Sequence, residues 1–497
     1  MKGPIDRTIH METLRKNIRQ AKERHILLPT FEQMKHPAKA PPGIHHKLQD
    51  IGLWDVDPAN LFRITWKNEP TATGGRFQDL PNYLEIPPAI SGVPARILAL
   101  AGRFFPTGAH KVGAAYACLV PRLVTGQFDS TYHQAVWPST GNYCRGGAYT
   151  ATLLGCRSIA ILPEKMSRER FEWLRAMAGE VIATPGCESN VKEIFDKTSE
   201  LRSTRADVLV FNQFAELGNH LWHYEVTGDA MLEMLDHEMR PGGRIAGVCL
   251  ASGSAGTLGS ADKVKERYPG ARLAVAEAAQ CPTLLHNGFG DHRIEGIGDK
   301  HVPWIHDVKN TDMIIDVDDE DCLRLFRLLN EEAGQSYLGS QGVDGMLIPR
   351  LSWTGISGAA NLLACIKFAR YYELGPRDIL VTVLTDSAEM YRSRLAEMEE
   401  ERGRRYDGAD AARDYDRVMT GIRTDAMEEL TYWSRKRIHQ LKYYTWIEQQ
   451  GYPLEELNAQ WNDHDEYWGG VHGMTAELDR LIVQFNDQTG LDGGSYG

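Results

Sequence analysis

The chain has 497 residues, 42 % of them hydrophobic and 25 % charged, values of a folded protein that exclude global disorder. Lys and Arg total 55 against 67 Asp and Glu, and the formal net charge of −12 argues against a protein built to grip nucleic acid or anionic lipid. The eight cysteines stand singly with no CxxC pair, and no apolar run approaches the roughly 20 residues of a membrane span, so neither a disulfide framework nor a membrane anchor is expected. What remains is a large cytoplasmic protein of several domains.

In chain order, residues 1 to about 65 are charged and Pro-rich, and Met1–Leu27 lacks the apolar segment of a secretory signal. Pro106-Thr107-Gly108-Ala109-His110-Lys111 then leads into an amphipathic stretch with Val112, Ala115 and Leu119. A lysine at a helix start is ordinarily a solvated cation, although the dipole there favours anions. As a neutral amine it makes a Schiff-base group. Pro138-Ser139-Thr140-Gly141-Asn142 enters a second helix, through Tyr149 to Leu154. Alone it is a Ser/Thr N-cap with a turn glycine; as a site it is a nest of N–H groups and hydroxyls for a carboxylate. Cys144, just beyond, reads as a small helix residue.

The central chain alternates apolar runs with helical patterns. Ser158–Leu162 precedes a helix over Ser167–Met177 with Ser167 as N-cap, and Val181–Ala183 precedes one over Ser189–Leu201. Val208–Phe211, Ile245–Leu250, Leu273–Ala276 and Ile379–Leu384 continue the series. Such alternation predicts parallel sheets covered on both faces, with sites at the carboxyl ends of strands. Directly after Ile245–Leu250 comes Ser252-Gly253-Ser254-Ala255-Gly256-Thr257, small residues before a helix start, which suits a phosphate. It lacks the Walker A lysine and the G-x-G-x-x-G spacing. His292–Gly298 is a Gly-containing turn.

From about residue 395 the pattern is helical, with a charge cluster at Glu397–Arg405. Trp433, Trp446, Trp461 and Trp468 lie there beside Tyr432, Tyr443, Tyr444, Tyr452 and Tyr467, and such an aromatic tail is expected to dock on the body or on a sister subunit. His45-His46 and Asp463-His464-Asp465 have no third ligand at metal spacing, so no metal is expected. A lysine, a carboxylate nest and a separate phosphate loop, in that order on a parallel α/β scaffold, together point to pyridoxal 5′-phosphate.

These segments resemble the fold type II pyridoxal-phosphate enzymes, the tryptophan synthase β-like group, and within it the cysteine synthase and cystathionine β-synthase branch. Pro138–Asn142 is similar to that branch's Ser/Thr-Ser/Thr-Gly-Asn loop. Leu162–Ser167 with Arg170, Leu174, Ala176 and Gly179 is similar to its following helix. Asn212-Gln213-Phe214, Asn219, His223-Tyr224 and Thr227-Gly228 resemble its Asn-Gln-Phe to Thr-Gly segment. Gly253–Thr257 resembles its phosphate loop, His292–Gly298 its His-Lys-Ile-Gln-Gly-Ile-Gly turn, and Gly355–Ala360 and Leu384–Ser387 its last helix and strand. The departures are Thr107–Lys111, which is more like tryptophan synthase β, Ala255 in place of Gly, and a Gly355–Ala360 segment one residue short.

The resemblance covers about residues 65 to 395. It implies two three-layer αβα domains with parallel sheets: a large one from 66–100 and 223–395, and a small one from 101–222 carrying the lysine. Extensions 1–65 and a helical, aromatic-rich 396–497 lie outside it. It implies Lys111 as catalytic and Schiff-base residue, with His110, Asn142, Gly253, Ser254, Ala255, Gly256, Thr257 and Ser357 around the cofactor. Asn142 would contact the ring oxygen, and Ser357 or Thr354 would face the pyridine nitrogen. Ser139, Thr140, Gly141, Asn142, Gln213 and Gly296 would hold the substrate. The expected reaction is β-elimination or β-replacement on a small cysteine-, serine- or O-activated-serine-like amino acid through an aminoacrylate. The alternatives are a serine/threonine dehydratase-like ammonia-lyase and a cofactor-binding subunit that needs a partner protein. A homodimer is implied, with no nucleic-acid or membrane partner.

Overall fold

The computed structural model describes residues 5–69, 76–139, 141–187 and 190–491. Its strands are β1 (Tyr83–Ile86), β2 (Arg96–Ala101), β3 (Gln134–Pro138), β4 (Arg157–Pro163), β5 (Glu180–Thr184) and β6 (Val208–Val210), then β7 (Arg244–Ala251), β8 (Arg272–Ala278), β9 (Met313–Val317), β10 (Asp378–Leu384) and β11 (Met427–Glu429). The order β5-β4-β3-β6 makes a wholly parallel four-stranded sheet. The order β1-β2-β10-β7-β8-β9-β11 makes a seven-stranded sheet, parallel through its five central strands and antiparallel at both edges.

Each expected apolar run lies on a strand: Ser158–Leu162 in β4, Val181–Ala183 in β5, Val208–Phe211 at β6, Ile245–Leu250 in β7, Leu273–Ala276 in β8 and Ile379–Leu384 in β10. The remaining strands have no counterpart among those runs. Central strand β2, Arg-Ile-Leu-Ala-Leu-Ala, is buried throughout and has a helix former's composition. β11 comes from the otherwise helical C-terminal segment and pairs with β9. Ser167 sits at the N-cap of Arg168–Met177, but its side chain makes no capping bond. The next helix runs Val191–Thr204, and Ser189 lies outside the described residues.

Along β2, Leu98 and Leu100 enter one apolar core while Ile97 and Ala99 enter another, so the large sheet is covered on both faces. The first core runs from Leu14 and Phe31 through Trp137 and Trp222 to Trp446 and Phe485, and so takes in both extensions. The extensions also grip each other: Phe31 N–H and Glu32 N–H donate to Asp479, and Leu28 exchanges two hydrogen bonds with Asn486.

The aromatic tail docks on the body. Trp446 is fully buried, and its Nε1 donates to Val302 O at 2.9 Å. The buried Lys442 Nζ donates to Trp304 O, His306 O and Gln460 Oε1. His220 and His472 meet Nε2 to Nε2 at 3.0 Å with nearly parallel rings, the geometry of one shared proton. Trp433 stays 77 % exposed, so the tail is not buried as a unit. Among the described residues no helix is long and apolar enough to cross a membrane.

Trp446→Ala removes a large, fully buried side chain. It is expected to cost about 3–5 kcal/mol and to lower the urea midpoint; an unchanged midpoint would contradict this docking.

Candidate active site

Two helices, Lys111–Val124 and Asn142–Leu153, start side by side. A Cβ on Gly146 would lie 2.7 Å from Val112 Cα, so a side chain there would force them apart. The turn before Lys111 is strained. Thr107 and Gly108 both hold φ of +70°, a conformation a β-branched residue rarely adopts. Trp54 of the N-terminal extension covers this turn, 2.8 Å from where a Gly108 Cβ would stand.

Lys111 is half-buried as a residue, but its amine is desolvated by the surrounding protein, which pulls it down to about 8. Nζ lies 2.8 Å from Ser254 Oγ, laid across the phosphate loop. A narrow cleft of about 30 Å³ opens on each side of it. One is lined by Lys111, Ser139, Asn142, Gln213, Ser254, Gly296 and others. The second is lined by His110, Lys111, Gly253, Ser254, Ala255, Thr257 and Gly296 among others. Larger hollows, of about 390, 630 and 730 Å³, lie away from Lys111, so size does not mark the site.

The carboxylate loop follows β3. Ser139 Oγ accepts from Gly141 N–H at 3.0 Å, and Gly141 is the N-cap at φ +152°. The first helical turn beyond it has amides without intrahelical partners. Thr140 lies outside the described residues. The phosphate loop follows β7. Leu258 N–H closes back on Ala255 O, so the amides of Gly253–Thr257 precede the first helical bond. Ala255 sits at φ +63°, strained where a glycine would not be. Asn219 braces the loop: its Nδ2 donates to Ser254 Oγ, and its Oδ1 would lie 2.1 Å from a Gly256 Cβ.

Asn142 is placed differently from expectation. Its Nδ2 donates to Asp386 Oδ2 at 2.6 Å, because a buried carboxylate takes the nearest donor. Its Oδ1 has no hydrogen-bond partner among the described residues. Tyr391 OH donates to the same Asp386 oxygen at 2.7 Å, and Arg170 lies between Asp386 and Glu295. Burial pushes the Asp386 carboxyl up, against Arg170 and its two donors. A Cβ on Gly141 would overlap Arg170 at 2.2 Å, so glycine is needed there for space as well as for φ.

Ser357 and Thr354 are buried with hydroxyls unpartnered among the described residues, yet neither lines a cleft; Thr385, at the end of β10, lines both. His110 packs edge-on against His223 at 4.8 Å, and burial holds both rings well below the usual histidine range. Burial also lifts the Cys144 thiol to about 12, which removes it as a nucleophile. Sequence reasoning assigned no site role to Thr385, Asn219, Asp386 or Asp299. A polar residue just beyond a β-strand was the available signal for Thr385 and Asp386.

A near-neutral buried amine, two helix N-termini and orphaned hydroxyls fit a phosphorylated aldehyde. The family model of the pyridoxal-phosphate dependent enzymes matches residues 87–342.

The chain belongs to the pyridoxal-phosphate dependent enzymes.

It is similar to a probable cysteine synthase of Bacillus subtilis (strain 168), 28 % identical over 291 residues, 58 % of this chain and 86 % of the relative. A cysteine synthase of Staphylococcus aureus (strain Mu50) is 29 % identical over 259 residues, 52 % and 75 % of the two chains. Among solved structures, a hydrogen sulfide-producing enzyme from Fusobacterium nucleatum has a TM-score of 0.54 at 25 % identity, covering 63 % of this chain and 96 % of its own. A cysteine synthase from Entamoeba histolytica has a TM-score of 0.56 at 21 % identity, covering 70 % and 94 %, a likeness of fold. Pyridoxal phosphate is therefore the cofactor of this enzyme.

Two outcomes are expected from this geometry. Capture of pyridoxal phosphate by the apoprotein, followed by absorbance, rises with pH to a midpoint near 8, because only the neutral amine attacks. A midpoint in the ordinary lysine range contradicts the burial. Ala255→Gly relieves the strained φ and raises stability in urea by about 1 kcal/mol; a loss of stability contradicts the strain.

Proposed function

We propose that this enzyme catalyses β-elimination or β-replacement on a small amino acid of the cysteine, serine or O-activated-serine class. The observation that carries the proposal is the buried, near-neutral amine of Lys111 between a carboxylate loop and a phosphate loop. The cysteine synthases among its relatives support the substrate class, and the hydrogen sulfide-producing enzyme supports an elimination arm.

Bound pyridoxal phosphate supplies the electron sink that makes the Cα proton and the β-substituent labile. The amides of Gly253, Ser254, Ala255, Gly256 and Thr257 would hold its phosphate at a helix N-terminus, with His110 beside it, and Asn142 would face the ring oxygen. The Ser139–Asn142 loop with Thr140 and Gly141, together with Gln213 and Gly296, holds the substrate carboxylate. Lys111 Nζ would hold the cofactor and, as a free amine, would take the Cα proton; an amine near 8 is poised for that at working pH. We assign the ring-nitrogen position to Thr385, which lines both clefts, ahead of Ser357 and Thr354. A neutral hydroxyl does not keep that nitrogen protonated, which favours loss of a β-leaving group over a long-lived carbanion. Asp386, tied to Asn142, Tyr391 and Arg170, positions Asn142.

We also infer a cytoplasmic homodimer, supported by eight buried free cysteines and by the exposed Trp433 and Tyr444 on the C-terminal extension. Elution at the mass of a single chain would refute the dimer.

Lys111→Ala is expected to lose the visible absorbance of lysine-bound cofactor and to lower kcat by about 10³-fold or more. A variant that keeps both sinks the proposal. Assaying pyruvate and ammonia beside a thiol-addition product, with cysteine, serine and O-acetylserine as substrates, separates elimination from replacement.

A further inference from the structure

Asp299 follows directly on the Gly296–Gly298 turn and lines the cleft shared by Lys111, Ser139, Asn142 and Gln213. Its side chain is 4 % exposed. Oδ1 is engaged: it accepts from His301 N–H at 3.2 Å and lies 3.3 Å from His301 Nδ1. Oδ2 is buried with no hydrogen-bond partner among the described residues. No hydrogen bond joins it to Lys111 Nζ, which is on Ser254 Oγ.

Among the described residues lining this cleft, only Lys111 and Asp299 carry charge; the neighbouring Val191 and Phe214 are apolar. Once Lys111 is committed to the cofactor, the remaining charge is one carboxylate. A buried carboxylate oxygen without a donor is costly, and a ligand that brings a donor removes that cost. A ligand that brings a second anion adds repulsion instead.

The backbone that carries the side chain is also held in place. Thr283 Oγ1 donates to Asp299 O at 2.8 Å. The segment just after it is pinned by the C-terminal extension, with Trp446 on Val302 O and Lys442 on Trp304 O and His306 O. Phe195 packs against both His301 and Trp446, at 5.6 and 6.0 Å.

Resting on the β-chemistry proposed above, we infer that Asp299 is a specificity residue for the substrate side chain. It selects amino acids whose side chain ends in a hydrogen-bond donor, a hydroxyl, thiol or ammonium, over those ending in a sulfonate or phosphate.

The test uses the holoenzyme. Serine and 2,3-diaminopropionate are titrated against cysteate and O-phosphoserine, with Kd read from the change in cofactor absorbance and, independently, from the shift in Tm. Wild type is expected to bind the donor ligands at least about tenfold more tightly than the anionic ones. Asp299→Asn, nearly isosteric, is expected to narrow that ratio about tenfold or more. A loss of packing alone would weaken all four ligands alike and leave the ratio standing. If Asp299→Asn does not fold, Asp299→Ser is measured for the same ratio. Equal binding of cysteate and serine by wild type, or an unchanged ratio in the variant, overturns the inference while the functional reading stands. If no amino acid in the panel perturbs the wild-type absorbance, the functional reading fails and takes this inference with it.

Discussion

An amine that is to react near neutral pH has to be kept from its proton, and here that is done by burial. Lys111 sits where two sheets bring their carboxyl ends together, with Ser139 from the end of β3 and Ser254 and Thr385 from the ends of β7 and β10 lining one cleft with it. Neither sheet alone lines that cleft. The strained pair Thr107 and Gly108, the helix contact at Gly146 and the cover of Trp54 all serve to bring one side chain to that junction.

The same low-polarity setting dictates how anions are held. The loops that suit a phosphate and a carboxylate use backbone amides and hydroxyls, and apart from Lys111 no cation lines either cleft among the described residues. The arginines are kept one step back: Arg170 is spent on Glu295 and Asp386. This is also why a net charge of −12 carries no information about the ligands.

Much of the fold was legible because buried parallel strands must be apolar and must alternate with helices, and six strands announced themselves that way. β2 did not, because a fully buried strand loses its alternation and Ile-Leu-Ala-Leu-Ala then looks helical. Lys111, Ser139, Gln213, Gly253 and Ser254 do come together at one cleft, and that was legible because loop chemistry is local: small residues before a helix start mean the same thing wherever they stand. The part Asp386 plays could not. Whether a carboxylate is partnered depends on residues far away in sequence, such as Asn142 at a separation of 244. Thr385, just beyond β10, lines both clefts while Ser357 and Thr354 line neither, and spacing along the chain does not tell which of the three does.

The grip between the two extensions has a consequence for how the chain comes into being. Leu28 and Asn486 bond across 458 positions, and Phe31 and Asp479 across 448. During synthesis the helix Met11–Glu23 therefore precedes by far the helix Thr475–Thr489 that completes its apolar seat. Contacts of such long range form slowly, and until they do Leu14, Leu28 and Phe31 remain in water. Joining these two segments thus leaves the earlier one adhesive until the later one has been made.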